Sequence, residues 1–320
     1  IISLCLRIYP RLKIVFSRPD RTTLHRLWNY SSYVFLINLA VQVVYYTDNL
    51  VVGAFLSPAA VALYAIGGIV IGYARQIVGS MTTTFAPLAS TFDAEGKYDD
   101  MQRLLIHGTR AALIVSLPIE VALFFRGQTF MRLWMGEQYA HSSATVMKIL
   151  LLSVVFSSAN ATSGGIVYGM EKLKRVAFWA VAEAVANLTL SIILVRQIGI
   201  YGVAWGTTIP SVIIELLLWP RLVCRLVAIP VRTYLWQACF RTALAVIPFA
   251  AGCAAAERFW PASHLPAFFL QIAALLLLLP PGIALMFRNE LTAQVHLWRK
   301  RRNTPDLSSE AYESSTTTVR

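Results

Sequence analysis

The chain has 320 residues, of which 57% are hydrophobic and 14% are charged, and its formal net charge is +12. Soluble domains contain about 45 to 50% apolar and about 25% charged residues, so this composition excludes an ordinary water-soluble fold. The four cysteines show no CxxC or Cys/His spacing, which argues against a zinc site and against a disulfide framework. The sequence therefore predicts an integral membrane protein.

Apolar segments long enough to cross a bilayer recur along the chain. A spanning helix needs about 20 mostly apolar residues. Eight segments meet this criterion, at 33–56, 60–84, 108–125, 143–168, 176–195, 201–218, 238–256 and 265–287. We expect an all-α bundle of about eight transmembrane helices. The segment 238–256 is the least regular, because Arg241 and Pro248 interrupt it.

Basic residues are distributed unevenly between the two sides of this predicted bundle. When the connections are assigned alternately to the two sides, most of the 28 Lys and Arg residues fall on the side that also holds both ends of the chain. Loops rich in Lys and Arg remain in the cytoplasm. We therefore expect both termini to be cytoplasmic, and we interpret the positive charge as a topology signal. A nucleic-acid partner is not predicted.

The chain divides into four predicted segments. It opens with Ile1 and lacks a basic start, so residues 1–32 are expected to be the end of a preceding span followed by a basic linker. Residues 33–226 form the predicted six-helix bundle, residues 227–298 two further helices, and residues 299–320 a disordered tail. Within the bundle, residues 92–107 are compatible with an amphipathic interfacial helix and equally with a solvated connector.

Sequence motifs favour helix packing over catalysis. No Walker A, GxGxxG, HExxH or GxSxG pattern occurs, so no catalytic residue, cofactor or metal site is predicted. The spacing GxxxG occurs at Gly68/Gly72, Gly165/Gly169 and Gly202/Gly206. Two glycines at this spacing share one helix face and allow a close approach of two backbones. We expect all three pairs to be packing devices.

Ionisable residues within the predicted spans are the candidate binding groups, because charge is costly in hydrocarbon and usually faces a cavity or a partner. Arg75, followed by Gln76, lies deep in the second span. Its side chain either snorkels to the membrane interface or binds an anion in a central cavity. The planar guanidinium suits phosphate or pyrophosphate because it donates two parallel hydrogen bonds.

A second group of polar residues lies within the first predicted span. Asn38, Gln42, Tyr45 and Asn49 recur on one helical face, which is predicted to line water. Asp48 is expected either to join this lining or to pair with a neighbouring helix. Further buried polar residues are Glu120, Glu183 and Asn187, whereas Asn160 is expected to bond between helices and Glu215 to meet Arg221 or Arg225.

Three stretches resemble polysaccharide and O-antigen flippases of the Wzx type, within the multidrug/oligosaccharidyl-lipid/polysaccharide exporter superfamily. They are TDNLVVGAFLSPAAVALYAIG, FAPLASTFDAEGKYDDMQRLL and GMEKLKRVAFWAVAEAVANLTLSIILVRQIGIYGVAWGTTI. The resemblance covers residues 1–226 and implies the second lobe of a fourteen-helix MATE-like transporter in the bacterial inner membrane. It implies that the first lobe is missing from this sequence.

The resemblance also implies a function. Such proteins move undecaprenyl-pyrophosphate-linked repeat units to the outer leaflet by alternating access, and arginines of their central cavity are thought to hold the pyrophosphate. Arg75 looks like a counterpart of these arginines. The implied partners are the lipid-linked oligosaccharide, membrane lipids and other polysaccharide-assembly proteins. The coupling ion, H⁺ or Na⁺, is left open.

Two other functions fit the same composition. A multidrug or cation antiporter would share the fold, and Asp48, Glu120 and Glu183 favour a cationic substrate as Arg75 favours an anionic one. A membrane polymerase or glycosyltransferase would normally need a sizeable outer loop with catalytic residues. The short predicted outer loops argue against such an enzyme.

Overall fold

The structure is a computed structural model that describes residues 20–288, and within this range it contains helices and no strand. The α-helices are α1 Arg21–Phe55, α2 Pro58–Ala94, α3 Tyr98–Met135, α4 Glu137–Ala140, α5 Ser142–Ala159, α6 Ala161–Gly169, α7 Lys174–Ile198, α8 Ile200–Ile213, α9 Trp219–Leu226, α10 Val231–Tyr234, α11 Arg241–Phe259 and α12 Leu265–Leu276. Two π-helical turns, Ile214–Leu218 and Leu235–Phe240, join α8 to α9 and α10 to α11. The predicted end of a preceding span and the predicted tail at 299–320 lie outside the described residues.

Seven helices of the described part are long and apolar enough to cross a membrane: Arg21–Phe55, Pro58–Ala94, Tyr98–Met135, Glu137–Ala159, Lys174–Ile198, Val231–Phe259 and Leu265–Arg288. The all-α membrane bundle predicted from the sequence is thus confirmed. The sixth of the eight predicted spans, 201–218, is not among the seven. It is divided into the 14-residue helix α8 and the π-helical turn that follows.

The connection between the second and third spans is shorter than predicted. α2 continues to Ala94 and α3 begins at Tyr98, so residues 92–107 form neither a separate interfacial helix nor a long connector. The chain turns at Gly96, whose φ of +67° is favourable for glycine and ends the helix.

The first two helices share one end and separate towards the other. Ser57 caps α2 by accepting a hydrogen bond from the Ala60 amide at 3.2 Å, and Pro58 occupies the first helical turn. Away from this turn, α1 packs mainly on α7, whereas α2 packs on α5 and α6. A gap therefore opens between α1 and α2.

Two of the three GxxxG pairs are packing devices, as predicted. A β-carbon at Gly165 would lie 2.8 Å from the Thr82 carbonyl oxygen of α2, and one at Gly206 would lie 2.6 Å from the Ser191 amide nitrogen of α7. The expectation is wrong for Gly68 and Gly72 of α2, because β-carbons there would meet no atom of residues 20–288 within 4 Å. Their face of α2 is open.

The two last helices are attached to the bundle through α3. Phe249 and Cys253 of α11 pack with Leu113 and Leu117 of α3. The division of the chain at residue 227 stays a prediction.

A polar contact joins the same helices. The Arg126 side chain is fully buried, lies 3.4 Å from the Glu257 carboxylate and donates to Gln271 at 2.6 Å. Thr129 of α3 donates to the second oxygen of Glu257 at 2.6 Å. α3, α11 and α12 are therefore tied together by one charged network.

Candidate functional site

Two cavities meet at Arg75 near the middle of α2. The first, which we call the bundle cavity, has a volume of about 150 Å³ and lies between α1, α2, α5, α7, α8 and the π-helical turn Ile214–Leu218. The second, which we call the groove cavity, has a volume of about 430 Å³ and lies between α1 and α2. Of residues 20–288, only Tyr45 and Arg75 line both cavities. These two side chains form the wall between them.

The Arg75 guanidinium is held inside the bundle. Its carbon Cζ lies 3.8 Å from the centroid of the Tyr45 ring, and Nη2 donates to the Ser153 hydroxyl of α5 at 3.1 Å. No ion pair joins Arg75 to a carboxylate within residues 20–288. The guanidinium thus lies beside both cavities and keeps N–H donors that Ser153 does not use.

Asp48 is the centre of a buried hydrogen-bond network that joins four helices. The side chain is 3% exposed, and its Oδ2 accepts from the Tyr64 hydroxyl at 2.6 Å and from the Thr207 hydroxyl at 2.7 Å. Asn187 of α7 donates to Thr207 at 2.7 Å. Asp48 thus bonds to neighbouring helices, which was one of its two predicted roles, and it also lines the groove cavity.

This network leaves two oxygens without a hydrogen-bond donor. Asp48 Oδ1 and Asn187 Oδ1 are buried and have no partner among the described residues. A buried polar atom without a partner costs about 1 to 3 kcal/mol, so such atoms in native proteins usually mark a ligand, an ion or water. The arrangement can accept a proton or a small cation that prefers oxygen ligands.

Most of the predicted site residues converge on these cavities. Gln42, Asn49 and Gln76 line the groove cavity with Asp48 and Arg75, and Glu183 lines the bundle cavity. Asn187 lines neither cavity and donates to Thr207 of the Asp48 network.

Asn38 does not belong to the site. It is exposed, donates to the Val34 carbonyl oxygen at 2.8 Å and lines neither cavity. Of the four residues predicted to share one face of α1, Gln42, Tyr45 and Asn49 line a cavity and Asn38 does not. Glu120 is buried as predicted and accepts a hydrogen bond from Ser158, but it too lies outside both cavities.

The prediction for Glu215 is wrong. Its carboxylate lines the bundle cavity and accepts from Asn160 at 2.9 Å, whereas Arg221 donates to the Leu217 carbonyl oxygen. Glu215 follows Ser211 by four residues, so both side chains lie on the helix face that borders the bundle cavity. Asn160, in contrast, bonds between helices as predicted.

Sequence reasoning missed the rest of the bundle cavity. Its lining also includes two indole rings and three hydroxyls, supplied by Trp179, Trp219, Ser153, Ser157 and Ser211. The four-residue spacing of Ser153 and Ser157 places both on one helix face and is the one signal that could have found them. The tryptophans come from helices far apart in sequence and carry no such signal.

The comparison with known families agrees with this architecture. The MatE family model matches residues 34–193, which is half of the chain. The chain belongs to the MatE family. The matched part of this MatE chain includes Asp48, Arg75, Glu183 and Asn187, while Thr207, Ser211 and Glu215 lie beyond it.

Two curated relatives extend the comparison. The MatE chain is 22% identical over 196 residues to a putative O-antigen transporter of Shigella flexneri, an alignment that covers 61% of this chain and 46% of the relative. It is 19% identical over 199 residues to a probable low-salt glycan biosynthesis flippase of Haloferax volcanii, which covers 62% and 42%. The chain thus matches less than half the length of each of these relatives. Both names agree with the flippase resemblance of its sequence.

Proposed function

We propose that this multi-pass membrane protein is part of a flippase that moves lipid-linked oligosaccharide, carried on undecaprenyl pyrophosphate, across the bacterial inner membrane by alternating access. The observation that carries the proposal is Arg75, a cavity-facing guanidinium without a carboxylate partner among the described residues. Its planar donors fit a pyrophosphate oxygen pair. The names of the two relatives support the same substrate class.

The groove cavity supplies the remaining polar groups for such a headgroup. Gln42, Asn49 and Gln76 add neutral donors and acceptors beside Arg75, and a buried Asn49 Oδ1 has no partner among the described residues. The open face at Gly68 and Gly72 lies in the same cavity. A sugar pyrophosphate can therefore approach the α2 backbone closely, while its lipid tail stays in the bilayer.

The Asp48 network supplies a candidate coupling site. A flippase that works against a gradient needs a second ligand whose binding favours one state of the transporter. The unpartnered oxygens of Asp48 and Asn187 are suited to a proton or Na⁺, and they lie next to the substrate cavity. Other polysaccharide-assembly proteins as partners, and cytoplasmic termini, stay predictions.

Complementation tests the proposal. The protein is expressed in a bacterial strain whose own flippase has been deleted. Export of surface polysaccharide is then measured for wild type, Arg75→Ala, Arg75→Lys and the control Arg103→Ala, at equal abundance of each protein in the membrane. Arg103 is exposed and pairs with Asp100 at the surface, so its loss should be neutral. We expect export by wild type and the control, little with Lys and none with Ala. Normal export by Arg75→Ala contradicts the proposed headgroup contact.

A cation antiporter is the second candidate. It is favoured by the three carboxylates Asp48, Glu183 and Glu215, which line the same two cavities as Arg75. Export of cationic dyes by the same strains separates the two functions. Dye export without polysaccharide export would favour the antiporter.

A further inference from the structure

The connection between α9 and α10 forms a cavity of its own. The cavity has a volume of about 370 Å³ and is lined by Arg221, Cys224, Arg225, Ile229, Pro230 and Val231. Both arginines are exposed. The connection belongs to the basic loops that predict the cytoplasmic side of the bundle. We call this cavity the arginine pocket.

Within the described part of the chain, no carboxylate neutralises the arginine pocket. The sequence has no Asp or Glu between Glu215 and Glu257, whereas it has four arginines in the same stretch. Glu215, the expected partner of Arg221 or Arg225, lies instead in the bundle cavity. Arg221 donates to the Leu217 carbonyl oxygen at 2.8 Å, and no ion pair joins either arginine to a carboxylate there. The pocket therefore keeps guanidinium donors for an anion.

Another surface pocket on the same predicted side has the opposite arrangement. It has a volume of about 440 Å³, and its cationic side chains are Lys97 and Arg103. Lys97 lies 2.7 Å from the Glu95 carboxylate, and Arg103 lies 3.5 Å from the Asp100 carboxylate. The protein itself neutralises the basic residues of that pocket. The unpaired cations of the arginine pocket are therefore a local feature and not a property of every basic loop.

Hydrogen bonds fix the backbone of the arginine pocket. Gln102 of α3 donates to the carbonyl oxygens of Val227 at 3.1 Å and of Ala228 at 3.4 Å. The Ile229 amide donates to the Cys224 carbonyl oxygen at 3.0 Å. The connection is thus tied both to α3 and to the end of α9. A wall that is already in position lowers the entropic cost of binding a ligand.

The helix face that leads from the pocket towards the membrane interior is apolar. Leu217, Arg221 and Arg225 recur at intervals of four residues, which places them on one face. Leu217 is exposed, and so is Ile213 one turn earlier. This face therefore changes from apolar to cationic towards the end of the helix. A phospholipid has the complementary order of acyl chain and anionic headgroup.

The volume indicates the size of the anion. The pocket corresponds to roughly twelve water molecules at the 30 Å³ that each takes in the liquid. A phosphate with its glycerol has a comparable number of non-hydrogen atoms, whereas a polymer is too large. Residues on successive turns of a helix have β-carbons about 5 to 6 Å apart, so both arginines can reach one phosphate.

We propose that the arginine pocket binds the phosphate of an anionic phospholipid from the leaflet in which the α9–α10 connection lies. Arg221 and Arg225 bind the phosphate, and an acyl chain packs along Ile213 and Leu217. The positive charge of the loops predicts that this is the cytoplasmic leaflet. The ligand is a lipid of the bilayer and not the transported molecule. The inference therefore goes beyond the proposed function and holds whichever ligand Arg75 binds.

Native mass spectrometry of the purified full chain in detergent tests this site. The protein is titrated with phosphatidylglycerol, which is anionic, and with phosphatidylcholine of the same acyl chains, which has no net charge. The variants are Arg225→Ala and the double replacements Arg221→Ala/Arg225→Ala and Arg221→Lys/Arg225→Lys. The matched control is Lys97→Ala/Arg103→Ala, which removes two positive charges from the neutralised pocket. Thermal melting of each variant establishes that it is folded.

We expect wild type and the control to bind the first phosphatidylglycerol about thirtyfold more tightly than phosphatidylcholine, because each basic residue contributes a factor of about five. Arg225→Ala should keep about a fivefold preference, and the double alanine variant should bind both lipids equally. The double lysine variant should keep most of the preference, because it retains both charges and loses only the planar fork of donors.

Three results would overturn the proposal. The first is an equal affinity of wild type for the two lipids. The second is a loss of preference in the control as large as that in the double alanine variant, which would reveal a general effect of surface charge. The third is displacement of phosphatidylglycerol from wild type by an equal concentration of inorganic phosphate, which would indicate a site for a soluble anion.

Discussion

Substitution of Gly165 tests the close contact between α6 and α2. A β-carbon at this position lies 2.8 Å from the Thr82 carbonyl oxygen and 2.8 Å from the Phe85 β-carbon. Carbon and carbonyl oxygen normally approach no closer than about 3.3 Å. Gly165→Ala therefore requires the helices to separate by about 0.5 Å, and overpacking of this kind costs about 1 to 3 kcal/mol.

Gly72→Ala is the matched control for this experiment. A β-carbon at Gly72 meets nothing within 4 Å among the described residues. Both substitutions lie inside helices, where Ala is better than Gly by about 0.5 to 1 kcal/mol. The difference in stability between the two variants therefore measures the cost of the steric clash at Gly165.

The assay is thermal unfolding of the purified protein in detergent. For a chain of this size 1 kcal/mol shifts the Tm by about 2 to 4 °C. We expect Gly165→Ala to melt roughly 2 to 12 °C below wild type, by that same conversion, and Gly72→Ala to melt at or slightly above wild type. Equal melting temperatures for the two variants would refute the reasoning that α6 and α2 are in backbone contact at Gly165.

Three further predictions concern charged and polar contacts. Glu257→Ala leaves the fully buried Arg126 without its carboxylate partner and should lower the free energy of unfolding by about 3 to 5 kcal/mol, as measured by the same thermal unfolding assay. A double variant in which leucine replaces both Arg126 and Glu257 should recover most of this loss. Asp48→Asn keeps the shape of the network but removes the carboxylate that is proposed to bind a proton or Na⁺. It should therefore abolish export in the complementation assay at normal membrane abundance, and full export would contradict a role of Asp48 in coupling. Ser153→Ala removes one hydrogen bond of the Arg75 guanidinium, which is worth about 1 kcal/mol. It should weaken the affinity of the purified protein for farnesyl pyrophosphate about fivefold, far less than Arg75→Ala does.

The helical membrane architecture could be predicted because it depends on the composition and length of single segments. Seven of the eight spans predicted from hydropathy are long apolar helices in the described part of the chain. The burial of Asp48 and the placement of Arg75 at a cavity were predictable for a similar reason, because a charge in a spanning segment needs a polar environment.

Features that depend on register and on tertiary contacts were not predictable. Glu215 shares a helix face with Ser211, four residues earlier, but this spacing does not reveal that the face borders the bundle cavity. Gly68 and Gly72 share the spacing of Gly165 and Gly169, yet within the described part of the chain only the second pair contacts a neighbouring helix closely. Spacing determines which residues share a helix face, and it does not determine what that face meets.

The shared wall of Tyr45 and Arg75 has a thermodynamic consequence. One guanidinium borders both cavities. A ligand in one cavity that displaces this guanidinium therefore also changes the free energy of ligand binding in the other cavity. Coupling between two binding sites is reciprocal: the factor by which the first ligand alters the affinity for the second equals the factor in the opposite direction. A titration of one cavity at several concentrations of the ligand of the other therefore measures how strongly this single side chain links them.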